Sequence, residues 1–255
     1  MKIKRLIEKF SCKDKRKIGK EFRKFIESKK DEFDDFSLLE KKIASLNEFL
    51  RNVEDFIAKK RLELNSSVDI DEVVGTDHLK YIGYTYLEML DFGLKMDINI
   101  PLFLQNPEYY YDKNRKNPAI YYACFNLPGG DKIAFVDGDG NHRTAIAKVI
   151  RAYDKSYTTI YGVVKTTYYI DYEMMNKFLY LKEETEKSGY TLQINKIEAS
   201  VKEDKNGEWI EWKYKHTFEL YGKGKSEEYS SLSEIDLISL MPFYKRILYK
   251  LKVIK

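Results

Sequence analysis

The sequence predicts an α+β protein with a central mixed core, helices before it, and a β-ribbon plus a helix after it. Three observations predict this class. Tyr121–Leu127 and Lys132–Val136 are apolar runs separated by Pro128-Gly129-Gly130-Asp131, a β-hairpin pattern, and Thr144–Tyr153 follows with helical spacing. Residues 3–26 and 38–64 place apolar side chains at helical intervals. Asn206-Gly207 lies between two long alternating runs, Thr191–Val201 and Trp209–Leu220, and Asn-Gly is a strong hairpin turn.

Taken in order, Ile3, Leu6, Ile7 and Phe10, then Ile18, Phe22, Phe25 and Ile26, predict helices with one apolar and one basic face. Leu38, Leu39, Ile43, Leu46, Phe49, Leu50, Val53, Phe56 and Ile57 continue close to a/d spacing, which suits an antiparallel helical hairpin or a dimer seam. Asn65-Ser66-Ser67 breaks the pattern and divides a basic helical arm, 1–65, from a core, 66–172. Within the core, Val68–Val74 predicts a first strand and Asp77–Leu94 a helix. Ile98-Asn99-Ile100-Pro101 and Tyr109-Tyr110-Tyr111 follow it, and Thr158–Val164 predicts a later strand. Residues 173–255 form the extension: a helix over Met174–Glu186, the ribbon, and a terminal helix from Ser233 to Lys250.

Composition excludes some classes. The 34% charged and 43% hydrophobic fractions describe a soluble globular chain, and no apolar run reaches a membrane span or a signal core. Cys12 and Cys124 have no metal spacing around them, and His78 and His216 stand alone, so zinc is not expected and a reduced cytoplasmic protein is. The 21 tyrosines, with frequent Lys, Asn and Ile, suit an AT-rich bacterial or mobile-element genome. Net charge is +4, but residues 1–30 hold 13 basic and 4 acidic residues, a net of +9 that leaves −5 on the remainder. Such a segment could attract a DNA backbone. A solvated face packed on the body, or on an identical subunit as a homodimer, is the commoner outcome.

The densest chemistry lies in Asp137-Gly138-Asp139-Gly140-Asn141-His142-Arg143-Thr144, between a strand and a helix. The first turn of a helix has unpartnered N–H groups and the positive end of the dipole, Gly138 and Gly140 allow close backbone approach, and Arg143 offers a planar fork of donors. Phosphate is the natural ligand. An EF-hand starting at Asp137 would need glycine and glutamate where His142 and Lys148 stand. A Fic signature fails at Ile133, where its histidine belongs, and Gly224-Lys225-Ser226 lacks the earlier Walker A glycine, having Glu219 there. A plain tight turn with Asn141 as helix cap is the structural alternative, although a cap requires only one of these residues.

Asp139-Gly140-Asn141-His142-Arg143 resembles the Asp-Gly-x-x-Arg or Gly-x-His-Arg signature of the ParB/sulfiredoxin fold, in the same strand-to-helix context. The resemblance covers about residues 66–172. It implies nucleotide binding with Mg²⁺ and cleavage of a nucleoside triphosphate or a phosphodiester. In that scheme Gly138, Gly140, Asn141, His142, Arg143, Thr144 and Thr76 hold the nucleotide. Asp137, Asp139, His142 and Arg143 are the catalytic candidates, and Asp139 the Mg²⁺ ligand. Asp71 and Glu72 are alternative carboxylates, and Tyr109–Tyr111 could stack on a base. Sulfiredoxin requires a cysteine where Asn141 stands, which argues against sulfinic acid reduction. The alternative function is a DNA-associated nucleotide switch, or a partition or regulatory factor of a mobile element, without strong catalysis.

Overall fold

The computed structural model describes residues 2–12, 14–114 and 120–235. It is a mixed α/β protein. The helices and strands are α1 (Lys2–Ile7), α2 (Ile18–Ser28), α3 (Ser37–Glu40), β1 (Ala44–Ser45), α4 (Leu46–Val53), β2 (Ile57–Asp69) and β3 (Val73–Thr76), then α5 (Tyr86–Phe92), α6 (Met96–Gln105), β4 (Tyr121–Asn126), β5 (Lys132–Val136), α7 (Asn141–Tyr153) and β6 (Thr159–Ile170). They continue with α8 (Tyr172–Lys187), β7 (Thr191–Glu203), β8 (Trp209–Gly222) and β9 (Lys225–Tyr229). The chain forms two compact units. One comprises Met1–Arg51, Arg61–Tyr168 and Glu203–Ile210, the other Asn52–Lys60, Tyr169–Lys202 and Glu211–Lys255.

In the first unit the strands run in the order β1-β3-β5-β4-β6-β2. The expected hairpin is present: β4 pairs antiparallel with β5, Ala123 opposite Phe135. Leu127 N–H closes its turn on the Asp131 carbonyl at 2.8 Å. β3 pairs parallel with β5 and β4 parallel with β6. Helix α7 divides the core. Ala147 packs with Val68, Val73, Tyr122 and Val136 of the sheet, while Ala145, Ile146, Val149 and Ile150 pack with α2, α5 and α6. Phe49 of α4 contacts Phe125 at 4.6 Å between ring centres and Phe135 at 5.5 Å. Ile3, Leu6, Phe22 and Ile26 are fully buried in the helical cluster, so the apolar faces of the basic segment are used inside this unit. Truncating one such phenylalanine to alanine costs about 3–5 kcal/mol.

Two expectations are corrected. The helical periodicity from 38 ends at Val53, and residues 57–69 form a strand containing Asn65-Ser66-Ser67, so that tripeptide is not a boundary. Residues 2–51 and 61–168 share one unit. The helix expected over Asp77–Leu94 is a loop followed by the seven-residue α5, whose start carries a reciprocal Thr85–Glu88 capping box. Ile98-Asn99-Ile100-Pro101 belongs to α6, a helix that holds Pro101 internally.

In the second unit α8 covers β8 through Phe178, Leu181, Phe218 and Leu220, joined by Phe56 and Leu192. β8 pairs with β7 and, as an unforeseen third strand, with β9. Asp171 caps α8 by accepting from Met174 N–H at 2.8 Å. Of the expected terminal helix, Ser233 and Glu234 lie in the 3₁₀ turn Leu232–Glu234, and residues 236–250 fall outside the described residues.

Candidate functional site

Because β3 and β5 run parallel, the loops that follow them share one edge of the sheet, where open α/β sheets place ligands. After β5 the chain turns through Gly138 at φ +89° and Gly140 at φ +122°. A Cβ on Gly140 would sit 2.6 Å from Ile120 Cγ2, so close approach and backbone conformation both require glycine there. Tyr121 anchors the turn, accepting from Asp137 N–H at 3.0 Å and donating to the Asp139 carbonyl at 3.1 Å. Gly140 is the N-cap of α7 and supplies no side-chain cap, which leaves the positive end of the helix dipole facing outward.

In front of that helix end is a cavity of about 450 Å³, lined on one side by Asp139, Gly140, His142 and Arg143. Lys95, with Asn99 and Leu102 of α6, lines the other side, and Tyr109 completes the wall. Arg143 Nη2 is 3.5 Å from Asp139 Oδ2. Asp139 Oδ1 accepts from Gly140 N–H at 2.9 Å. His142 is held neutral: burial, reinforced by the Lys95 charge, pushes its pKa down to about 4. Its Nε2 lies 2.9 Å from the Tyr81 hydroxyl and 3.4 Å from Lys95 N.

The remaining expected residues are placed differently. Thr144 is fully buried, its hydroxyl 2.8 Å from that of Tyr122. Thr76 is 1% exposed and accepts from His78 N–H at 3.1 Å. Asn141 is buried and donates back to the Gly138 carbonyl at 3.3 Å, fastening the loop rather than facing the cavity. Gly138 has open space around it. Asp71 is bonded to Arg151 at 2.6 and 3.0 Å and, with Glu72, precedes β3, so both stand at the strand end opposite Asp77. Tyr111 donates to the Ala147 carbonyl at 3.0 Å and packs on Tyr157, and Tyr109 lies in the cavity wall.

Sequence reasoning missed Asp77, Tyr81 and Lys95. Asp77 donates its N–H to the Val136 carbonyl at 3.0 Å, and its charge joins burial in raising the Asp137 pKa, burial contributing more. The signal that could have found Asp77 and Tyr81 is the Thr85-x-x-Glu88 capping box, which starts α5 late and leaves 77–84 as a loop.

Among the described residues no group of three or more His, Cys, Asp or Glu forms a metal-ligand cluster. Asp139 has its two oxygens turned to Gly140 and Arg143. Asp77 is near enough to Asp137 for its charge to add to burial in raising the Asp137 pKa. In the basic segment Lys2, Lys4 and Lys9 pair with Asp34, Glu108 and Glu32 at 2.8, 2.8 and 3.3 Å. No helix among the described residues is long and apolar enough to cross a membrane. Comparison with protein-family models, curated proteins and solved structures finds no match.

Proposed function

We propose that the cavity at the start of α7 binds the phosphate chain of a nucleoside triphosphate, and that the protein is a Mg²⁺-dependent phosphohydrolase with a ParB/sulfiredoxin-like core, acting on a triphosphate or a phosphodiester. The observation that carries the reading is the convergence of an uncapped helix N-terminus, Arg143, Lys95 and the neutral imidazole of His142 on one cavity. These groups are cationic or hydrogen-bond donors, which is what a phosphate chain needs.

Arg143 and the α7 amides neutralise and orient the phosphate oxygens and stabilise the charge that grows on them during cleavage. Asp77 and Asp137 are the carboxylates that would hold Mg²⁺, and the bound ion supplies charge neutralisation on phosphate oxygens. Asp139 positions Arg143 through their ion pair. Leu102, Asn99 and Tyr109 offer the non-phosphate part of the substrate an apolar face, an amide and an aromatic ring.

Calorimetric titration of ATP, CTP, GTP and UTP, with and without Mg²⁺, into the wild type and Arg143→Ala tests the reading, with product formation followed in the same samples. Saturable binding that weakens about 10- to 100-fold in the variant is expected, the loss of a charge-assisted hydrogen bond. Absence of binding to the wild type, or full retention in the variant, overturns it.

A further inference from the structure

His142 sits in a cradle that treats its two ring nitrogens differently. Nε2 is approached by the Tyr81 hydroxyl at 2.9 Å and by the backbone N–H of Lys95 at 3.4 Å. The amide is a donor with no alternative role, so Nε2 must offer it a lone pair. With Nε2 accepting, the Tyr81 hydroxyl is the donor in their 2.9 Å contact. The Tyr81 ring is 1% exposed and stacks on His78 at 4.5 Å between centroids, so it cannot swing away cheaply. At Gly93 a Cβ would come within 3.1 Å of His142 Cδ2, so the backbone also closes on the ring edge.

We infer that Tyr81 is a positioning residue that locks His142 in the tautomer with its proton on Nδ1, making the imidazole a neutral hydrogen-bond donor to the cavity and not a proton acceptor. This assigns His142 the part of a fixed donor beside Arg143, and removes it from the list of general bases. The charged and titratable groups around the ring are Lys95 from the α5–α6 connection, His78 and Tyr81 from the β3–α5 loop, and Asp139 and Arg143 from its own turn. Asp139 alone favours the charged imidazole, and burial together with Lys95 outweighs it. The ligand half of the inference rests on the proposed phosphate reading. The tautomer does not.

The test has two arms. In ¹⁵N-labelled protein, long-range proton–nitrogen spectra of the three histidines, with His142 assigned by its absence in His142→Asn, report which nitrogen carries the proton. The expected result is a protonated Nδ1 and a bare Nε2, unchanged between about pH 8 and pH 5 because the ring sits below its ordinary range. In Tyr81→Phe the tautomers mix and the titration midpoint moves up. A proton on Nε2, or charging near the ordinary histidine value in the wild type, overturns the inference.

In the second arm inorganic triphosphate is titrated into the wild type, Tyr81→Phe, His142→Asn and His142→Gln. The Asn amide falls where Nδ1 stands and should keep affinity within about threefold. The Gln amide reaches the Nε2 position and should lose about tenfold, the worth of one hydrogen bond. The reverse order overturns the donor role. If triphosphate does not bind the wild type at all, the phosphate reading and the donor role fail together, while the spectra still decide what Tyr81 does.

Discussion

Asp77 donates its backbone N–H to the carbonyl of Val136 at 3.0 Å, and its charge adds to burial in raising the pKa of Asp137, sixty positions further along the chain. Thr76 and Val136 are register partners on parallel β3 and β5, so the next residue of each strand steps off the sheet at the same edge. The Asp77 charge disfavours the ionised form of Asp137.

That relationship predicts opposite effects of Asp137→Asn on stability and function. The Asp137 carboxyl titrates above 3.8 in the fold, raised by burial and then by Asp77, so the native state binds its proton more tightly than the unfolded chain does. Stability is therefore lost as pH rises from the unfolded value through the raised one. The amide should raise the melting temperature at pH 7, with no advantage left below about pH 4. Mg²⁺-dependent turnover should fall about a hundredfold or more. Thermal melts at the two pH values and product assays check both halves.

Gly140→Ala should be strongly destabilising. The position combines φ +122° with a Cβ contact of 2.6 Å on Ile120, so strain and overpacking add. A loss of about 2–4 kcal/mol is expected in urea unfolding. Gly138→Ala meets nothing within 4 Å and bears only its φ of +89°, so it should cost less than Gly140→Ala.

The hydroxyl pair Thr144–Tyr122, 2.8 Å apart and buried, defines a double-mutant cycle. Thr144→Val or Tyr122→Phe alone removes this buried hydrogen bond and should cost about 1–3 kcal/mol. Removing both should cost less than the two single losses together, a coupling that denaturant melts would measure. Triphosphate affinity should change little, because this pair faces the core.

Lys148 gives a pH signature. It is 1% exposed, donates to the Ile70 carbonyl at 2.6 Å, and has its pKa pushed down to about 7, chiefly by burial. Between 7 and 10.5 the unfolded chain holds more protons than the fold, so stability rises with pH across that window, and below it the full cost of a buried charge is present. That cost is roughly 5 kcal/mol. Lys148→Met removes it but leaves the Ile70 carbonyl unpartnered, worth about 1–3 kcal/mol. The variant should be the more stable protein at pH 6 and the less stable at pH 10. Denaturation midpoints at the two values would show the crossing.

Much of the fold was legible in the chain. The hairpin over 121–136, α7 starting within three residues of its expected position, α8, and the Asn206-Gly207 ribbon all appear where local pattern placed them. Each rests on neighbours a few positions apart, where turn chemistry and periodicity act directly. β2 was not legible. Lys-Lys-Arg-Leu-Glu-Leu at 59–64 is a run of good helix formers, and it is a strand because remote partners hold it. Arg61 lies 4.5 Å from the Trp209 ring, and Glu63 bonds Lys165 at 3.0 Å.

For the site the division is the same. The sequence alone determined that residues 137–143 form a glycine-bearing turn into a helix with an arginine at its mouth, since backbone freedom and helix start are local properties. Only the tertiary structure decided which of those residues face the cavity, turning Asn141 and Thr144 inward and Arg143 outward. It also brought Tyr81 to His142 across 61 positions and Asp77 to Asp137 across the parallel pair. Those meetings depend on strand register and on helices packed from distant parts of the chain, and no residue's immediate neighbours encode them.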